Sequence, residues 1–591
     1  MAEGKAGMKN ISGGSPEEKG RRPVVVFRDF SFQYFSQAAP TLHNLNLTIY
    51  EGEKILMVGP SGSGKSTIGH CLNGLIPNSY NGTITGSLTI SGQETREMSI
   101  FELSKKVGTV LQDSDGQFIG LTVGEDIAFA LENDCRSKPE MVSTVQQVAD
   151  MVDMGELLNS SPYELSGGQK QRVAFAGVMV DDVDLLLFDE PLANLDPATG
   201  KTAIDLIDRI HQKTNKTVVI IEHRLEDVLY RSVDRIIVVD EGRILADMTP
   251  DELMCTDLLP EIGIREPLYV TALKYAGVRL TPEMHPGRLE TLQTDMVKDA
   301  VRSWFLNQPK TVQAEETPVI LSLENLWFQY TSKRQILRDI SFRIHEREMV
   351  SIVGTNGAGK STLAKVICGF VREDQGTIFF EGKDLKNQTI KERAQYIGYV
   401  MQNPNQMICK AMVYDEVALG LHIRGLAEEE INRKVDKALK ICGLSEYKSW
   451  PVSALSFGQK KRVTIASMLV LDPRILILDE PTAGQDYRHY TDIMRFLQTL
   501  NENGVTILLI THDMHLMLEY TPHAIVISDG QKIADESAVD VLTDEKITEA
   551  ASLKVTSLYE LAMKAGISDP NAFVRKFIDY ERGRRGEKQT V

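Results

Sequence analysis

Two stretches of this chain carry the residue types that hold a polyphosphate: GPSGSGKST at 59–67 and GTNGAGKST at 354–362. The first supplies Gly59, Pro60, Ser61, Gly62, Ser63, Gly64, Lys65, Ser66 and Thr67, and the second Gly354, Thr355, Asn356, Gly357, Ala358, Gly359, Lys360, Ser361 and Thr362. Glycines at this spacing let successive backbone N–H groups curl around phosphate oxygens, and a helix starting at the lysine adds its partial positive charge. Lys65 and Lys360 can then reach the β- and γ-phosphates. The hydroxyls of Ser66 and Ser361, with Thr67 and Thr362 beside them, suit Mg²⁺.

Two apolar runs end in paired carboxylates, Asp189-Glu190 and Asp479-Glu480. Burying such groups without a partner is costly, so each pair needs something to bind. In each, the Asp is suited to hold Mg²⁺ directly or through its waters. The adjacent Glu is suited to orient or deprotonate an attacking water, which makes Glu190 and Glu480 general-base candidates. His223 and His512 each follow an apolar run, 33 and 32 positions after those glutamates, where an imidazole can meet the γ-phosphate as charge develops. Gln112 and Gln402 close short β-runs between cradle and carboxylates, placed to sense both metal and water. A lone His or Gln would read as ordinary core or loop; recurrence in the same order gives them weight.

The elements that must position these groups are duplicated. LSGGQKQRV at 165–173 returns as LSFGQKKRV at 455–463, LLLFDEP at 185–191 as LILDEP at 476–481, and FSFQY at 30–34 as LWFQY at 326–330. Lys65 and Lys360 are 295 positions apart, Glu190 and Glu480 290, and His223 and His512 289. A steady offset of that size means a duplicated domain with a linker, not a solenoid of short repeats. Within each copy, runs such as Lys54–Val58, Val218–Ile221, Met349–Val353 and Thr506–Ile510 alternate with longer amphipathic stretches. That alternation predicts an α/β fold whose parallel sheet is covered by helices. Residues 1–22 read as a disordered leader, 23–250 as the first domain, 251–318 as a packed connector and 319–545 as the second domain. Residues 546–591 read as a C-terminal segment, helical through Leu558–Ala565 and Phe573–Tyr580, with a basic, polar tail from Arg582.

A length of 591 residues exceeds one core, and a formal charge of −17 disfavours electrostatic coating of nucleic acid or anionic membrane. No run approaches the length of a membrane span. The six cysteines, without CxxC pairs, suit a reducing compartment and read as buried small residues.

Taken together, these elements resemble the ABC ATPases. The LSGGQ-type signature, Ser166, Gly167, Gly168 and Gln169 against Ser456, Phe457, Gly458 and Gln459, separates that family from other P-loop NTPases. The resemblance implies two tandem P-loop domains, each a mainly parallel sheet with an antiparallel β subdomain and a helical signature subdomain. It implies ATP and Mg²⁺ as ligands, with Ser66, Gln112 and Asp189, and Ser361, Gln402 and Asp479, around the metal. It makes Tyr34 and Tyr330 the adenine-stacking aromatics, although either could equally be core. It makes Ala193–Asp196 and Ala483–Asp486 the D-loops. In that family the domains pair head to tail, so each signature would complete the other domain's site and fusion would make the pair intramolecular. Phe457 departs from the pattern, which predicts two competent but unequal sites.

The segments after the Gln loops, 112–129 and 402–420, are similar to those of energy-coupling-factor (ECF) importer ATPases. That resemblance implies uptake of a vitamin, vitamin precursor or transition-metal ion. It also implies a transmembrane T component, a substrate-binding S component, and a place at the cytoplasmic face of the cell membrane. Asp113, Gln117, Asn403 and Gln406 become candidate docking residues. Rival readings are a soluble twin-ABC translation factor, the fused ATPase of a sugar importer, and a non-hydrolysing scaffold. Residues 251–317 hold 11 Asp or Glu against 7 Lys or Arg, a poor RNA surface, so no nucleic-acid partner is expected. Intact Glu and His in both copies argue against the scaffold.

Overall fold

The computed structural model describes residues 11–12, 20–111, 114–193, 195–309, 317–331, 334–482 and 487–587. These form two compact units. One takes the described residues up to Leu195 with Thr199–Val301, and the other takes Asp196–Ala198 with the described residues from Arg302. The division falls inside the segment read as a connector.

In the first unit the apolar runs become a seven-stranded sheet. Its order is Ile11–Ser12, Arg243–Met248, Arg235–Asp240, Lys54–Val58, Thr217–Ile221, Leu185–Asp189 and Val107–Val110. Every pairing is parallel except Arg235–Asp240 with Arg243–Met248. Strands such as Lys54–Val58 and Thr217–Ile221 are buried at every position, which is why they read as continuous apolar runs and not as alternation. A four-stranded antiparallel sheet, Leu42–Tyr50, Pro23–Tyr34, Gly82–Ile90 and Gln93–Glu94, accompanies it. Phe27, Phe30 and Phe32 from that sheet share one core with Ile68 and Leu72 of the Lys65–Leu72 helix and Leu187 of the parallel sheet. Each fully buried aromatic there contributes about 1.5–3 kcal/mol of transfer free energy. The helices Val123–Asn133, Lys138–Met151 and Gly167–Met179 form the remaining subdomain.

The second unit repeats the plan with six strands: Ile397–Val400, Ile475–Asp479, Thr506–Ile510, Met349–Gly354, His523–Ser528 and Gln531–Ser537. Its antiparallel sheet is Arg334–His345, Val319–Thr331, Gln375–Phe380 and Lys383–Asp384. The helices Ser557–Lys564 and Pro570–Glu587 belong to this unit, where Trp304 meets Phe573 and Tyr580 edge to face.

Some local readings change. Within the leader, Ile11–Ser12 pairs in parallel with Arg243–Met248, satisfying backbone groups that an edge strand leaves open; residues 1–10 and 13–19 lie outside the described set. The last helix runs on through Arg582, whose guanidinium donates to the Glu519 carbonyl at 3.1 Å. Of the cysteines, Cys71, Cys368 and Cys442 are buried, Cys255 is intermediate, and Cys135 and Cys409 are exposed. Cys135 stands in the turn after the Val123–Asn133 helix and Cys409 in the loop after Gln402, so neither reaches a core.

Candidate active sites

Strand order decides which residues meet. In the first unit Lys54–Val58, Thr217–Ile221 and Leu185–Asp189 are consecutive parallel neighbours, with Asp189 level with Ile221. Their C-terminal ends therefore deliver the cradle, Glu222-His223 and Asp189-Glu190 to one edge, the side on which open α/β sheets bind ligands. Met349–Gly354, Thr506–Ile510 and Ile475–Asp479 do the same in the second unit.

The cradles close as their glycines require. Gly64 and Gly359 precede the two helices at φ 104° and 102°, a region L side chains rarely occupy. A Cβ there would also meet Leu42 at 2.8 Å and Leu337 at 2.9 Å. Lys65 Nζ donates to the carbonyls of Gly59 (2.7 Å) and Pro60 (2.9 Å), and Lys360 Nζ to those of Gly354 (2.8 Å) and Thr355 (2.9 Å). Each ammonium is thus folded over its own loop. Burial pulls Lys360 below the usual lysine range, and the charges of Glu480 and Asp479 oppose that. Ser66 is exposed, whereas Thr67 is buried and shares a 3.2 Å hydrogen bond with the Tyr34 hydroxyl.

Asp189 is pushed up to about 6 by burial and by Glu190, with Lys65 opposing. Its Oδ1 is buried without a hydrogen-bond partner among the described residues. Asp479 is also raised, first by burial, while hydrogen bonds from the Ser361 hydroxyl and from Tyr399 (3.0 Å) oppose the rise. Buried carboxylate oxygens beside a serine hydroxyl and a phosphate cradle fit a divalent cation. Glu190 and Glu480 both sit at positive φ, 48° and 46°. Their N–H groups donate to Ile221 (2.8 Å) and Ile510 (2.9 Å), so each turns sharply off its strand. Non-glycine residues held there store on the order of 1–3 kcal/mol, a common feature of functional sites. Burial raises Glu190, the charge of His223 lowers it and that of Glu222 raises it again.

The histidines are placed differently. His512 Nδ1 is 2.7 Å from Glu480 Oε1, whereas His223 Nδ1 lies 3.1 Å from Glu222 Oε1. Gln402 is exposed and its carbonyl accepts from Lys461; Gln112 lies outside the described residues. Both signature serines form complete capping boxes with Gln169 and Gln459. Phe457 is 46% exposed at the first helical position. A Cβ at the matching Gly167 would meet nothing within 4 Å, so the substitution leaves the cap intact. Tyr330 is exposed and packs edge to face on Phe328. Of the docking candidates, Asn403 and Gln406 are exposed, and the Gln117 amide is engaged with Leu111 and Thr109 backbone. Asp113 and 483–486 lie outside the described set, and of the first D-loop Asn194 does.

A family model described as ABC transporter matches residues 42–193 and again 337–483. This chain belongs to the ABC transporter ATPases. It carries two of their ATP-binding, ATP-hydrolysing domains in tandem, as the resemblance implied. A second model, described as ATP-binding cassette cobalt transporter, matches 256–328. A Clostridium perfringens protein described as an ABC transporter ATP-binding protein is 58% identical, covering 96% of this chain and 100% of that one. An Enterococcus faecalis protein of the same description is 57% identical, covering 95% and 99%. A solved Clostridium perfringens structure, CbiO1, part of the ABC transporter complex CbiONQ, is 37% identical with a TM-score of 0.37, covering 39% of this chain and 93% of its own.

Residues missed by sequence reasoning also line the centres of this ABC ATPase. Glu222 is completely buried. Lys461, 1% exposed, donates to the carbonyls of Met401 (3.0 Å) and Gln402 (2.7 Å) and reaches those of Asp479 and Glu480, both at 3.4 Å. Burial pulls Lys461 down to about 8, against Asp479 and Glu480. The corresponding residue in the first copy is Gln171, which donates to the Pro191 carbonyl. The signal for Glu222 was a charge directly after the apolar run Val218–Ile221. Lys461 was hidden in the run Lys460-Lys461-Arg462, which reads as a solvated face.

Proposed function

We propose that this ABC ATPase energises an importer of the ECF type, working at the cytoplasmic face of the cell membrane with a transmembrane T component and a substrate-binding S component. The observation that carries the reading is the match of 256–328 to a family described as a cobalt transporter's ATP-binding cassette. It favours uptake of a transition-metal ion over a vitamin. No helix among the described residues is long and apolar enough to cross a membrane; in this reading the T component supplies the pore. Exposed Ile119 (65%) and Leu121 (79%), just after the first Gln loop, support a docking surface there.

In this reading Lys65 and Lys360 unfold from their own loop carbonyls onto the β- and γ-phosphates. Ser66 with Asp189, and Ser361 with Asp479, hold Mg²⁺, with Gln112 and Gln402 beside them. Bound Mg²⁺ would neutralise charge on the phosphate oxygens. Glu190 and Glu480 orient or deprotonate the attacking water, and His223 and His512 face the γ-phosphate. Tyr34 and Tyr330 stack on adenine. The same chemistry would serve a twin-ABC translation factor, so the partner decides between them. Affinity purification of the chain from its own membranes tests the reading. Recovery of a multi-span membrane protein and a small substrate-binding membrane protein is expected. Ribosomal recovery in their place would overturn it.

A further inference from the structure

The two domains keep the same Glu and His but hold them by different means, and the difference lies one residue before each histidine. In the first domain that residue is Glu222, with no exposed surface. Its Oε1 accepts the His223 N–H at 2.8 Å and the Arg224 N–H at 3.1 Å, and lies 3.1 Å from His223 Nδ1. Its Oε2 accepts the Leu192 N–H at 3.2 Å. Leu192 is two residues beyond Glu190, and its carbonyl in turn accepts from the Arg224 guanidinium. Both backbone groups of Leu192 are thus gripped from the histidine loop. The second domain has Thr511, His512 and Asp513 at these positions. The Thr511 hydroxyl accepts the Asp513 N–H at 3.0 Å, while His512 bonds Glu480 directly.

We infer that Glu222 is a positioning residue for hydrolysis in the first domain, tying the Glu190 loop to the His223 loop through the backbone N–H groups of Leu192, His223 and Arg224. The second domain has Thr511 at this position and registers its pair by the His512–Glu480 contact. A buried carboxylate satisfied by several donors is rigid, which suits it to holding two loops in register.

The inference rests on reading Glu190 and His223 as the hydrolytic pair, and the test separates the two claims. ATP turnover and ATP affinity are measured on the full chain carrying Glu222→Thr, which installs the second domain's residue, and on Glu190→Gln/Glu480→Gln. The double variant should bind ATP without turnover; continued hydrolysis by it would refute the hydrolytic reading itself. With that variant inactive, Glu222→Thr is expected to lower kcat by as much as about twofold, the whole share of one of two equal centres, with KM and ATP affinity unchanged. Glu222→Gln, isosteric but with one acceptor oxygen, should lie between Thr and wild type, and it decides the matter if the Thr variant does not fold. An unchanged kcat, or a loss of ATP affinity in step with kcat, overturns the inference.

Discussion

His523 offers a prediction whose size follows from the structure. It opens the strand His523–Ser528, with Nδ1 2.7 Å from Glu348 and Nε2 2.7 Å from Asp535. Burial lowers its pKa, but hydrogen bonds to Asp535 and Glu348 outweigh it and hold the imidazolium up to about 9, against 6.5 for the free side chain. A folded pKa above the unfolded one means stability that is fully present below about 6.5 and lost as pH rises through 9. At about 1.4 kcal/mol per unit, the whole step is on the order of 3 kcal/mol. In the first domain the same place is taken by Arg235, bound to Glu53 and Asp247, a cation that does not titrate in this range. His523→Arg should therefore flatten the loss. Scanning calorimetry of the full chain at pH 6.5 and pH 9 should show the wild type losing several degrees more than the variant, since about 1 kcal/mol moves a domain of this size by roughly 2–4 °C. Equal losses in both would refute the reasoning.

Three further outcomes follow from the same structure. Lys461→Met leaves the Met401 and Gln402 carbonyls without their buried donor and should cost about 2–4 kcal/mol, read as a lower denaturation midpoint; Lys461→Gln, copying Gln171, should cost less. Phe457→Gly removes an exposed side chain beside an intact cap, so the unfolding temperature should stay within about 2 °C. Separate Glu190→Gln and Glu480→Gln variants should retain unequal turnover, because Thr511, Lys461 and Phe457 in the second copy stand at the positions of Glu222, Gln171 and Gly167 in the first; equal residual turnover would count against unequal centres.

Much of this architecture was legible because it is local. A glycine loop, the helix that follows it and a strand ending in Asp-Glu are each written in under ten consecutive residues, and duplication marked them again. What stayed hidden depends on distant pairs. Arg235 meets Glu53 across 182 positions, and Lys461 reaches Gln402 across 59, so neither partner is marked by spacing. Glu222 was in plain sight at the end of Thr217–Ile221 but lost weight because its counterpart is Thr511. Comparing the copies favours what they share, and the asymmetric groups are those they do not.

The central claim is that these two centres hydrolyse ATP through Glu190 and Glu480. Its most direct test is ATP turnover by the purified Glu190→Gln/Glu480→Gln chain, with bound nucleotide measured in the same sample. The account requires ATP to be bound and turnover to fall by at least about 100-fold, the scale of a lost general base. Turnover close to wild type with ATP bound would contradict it.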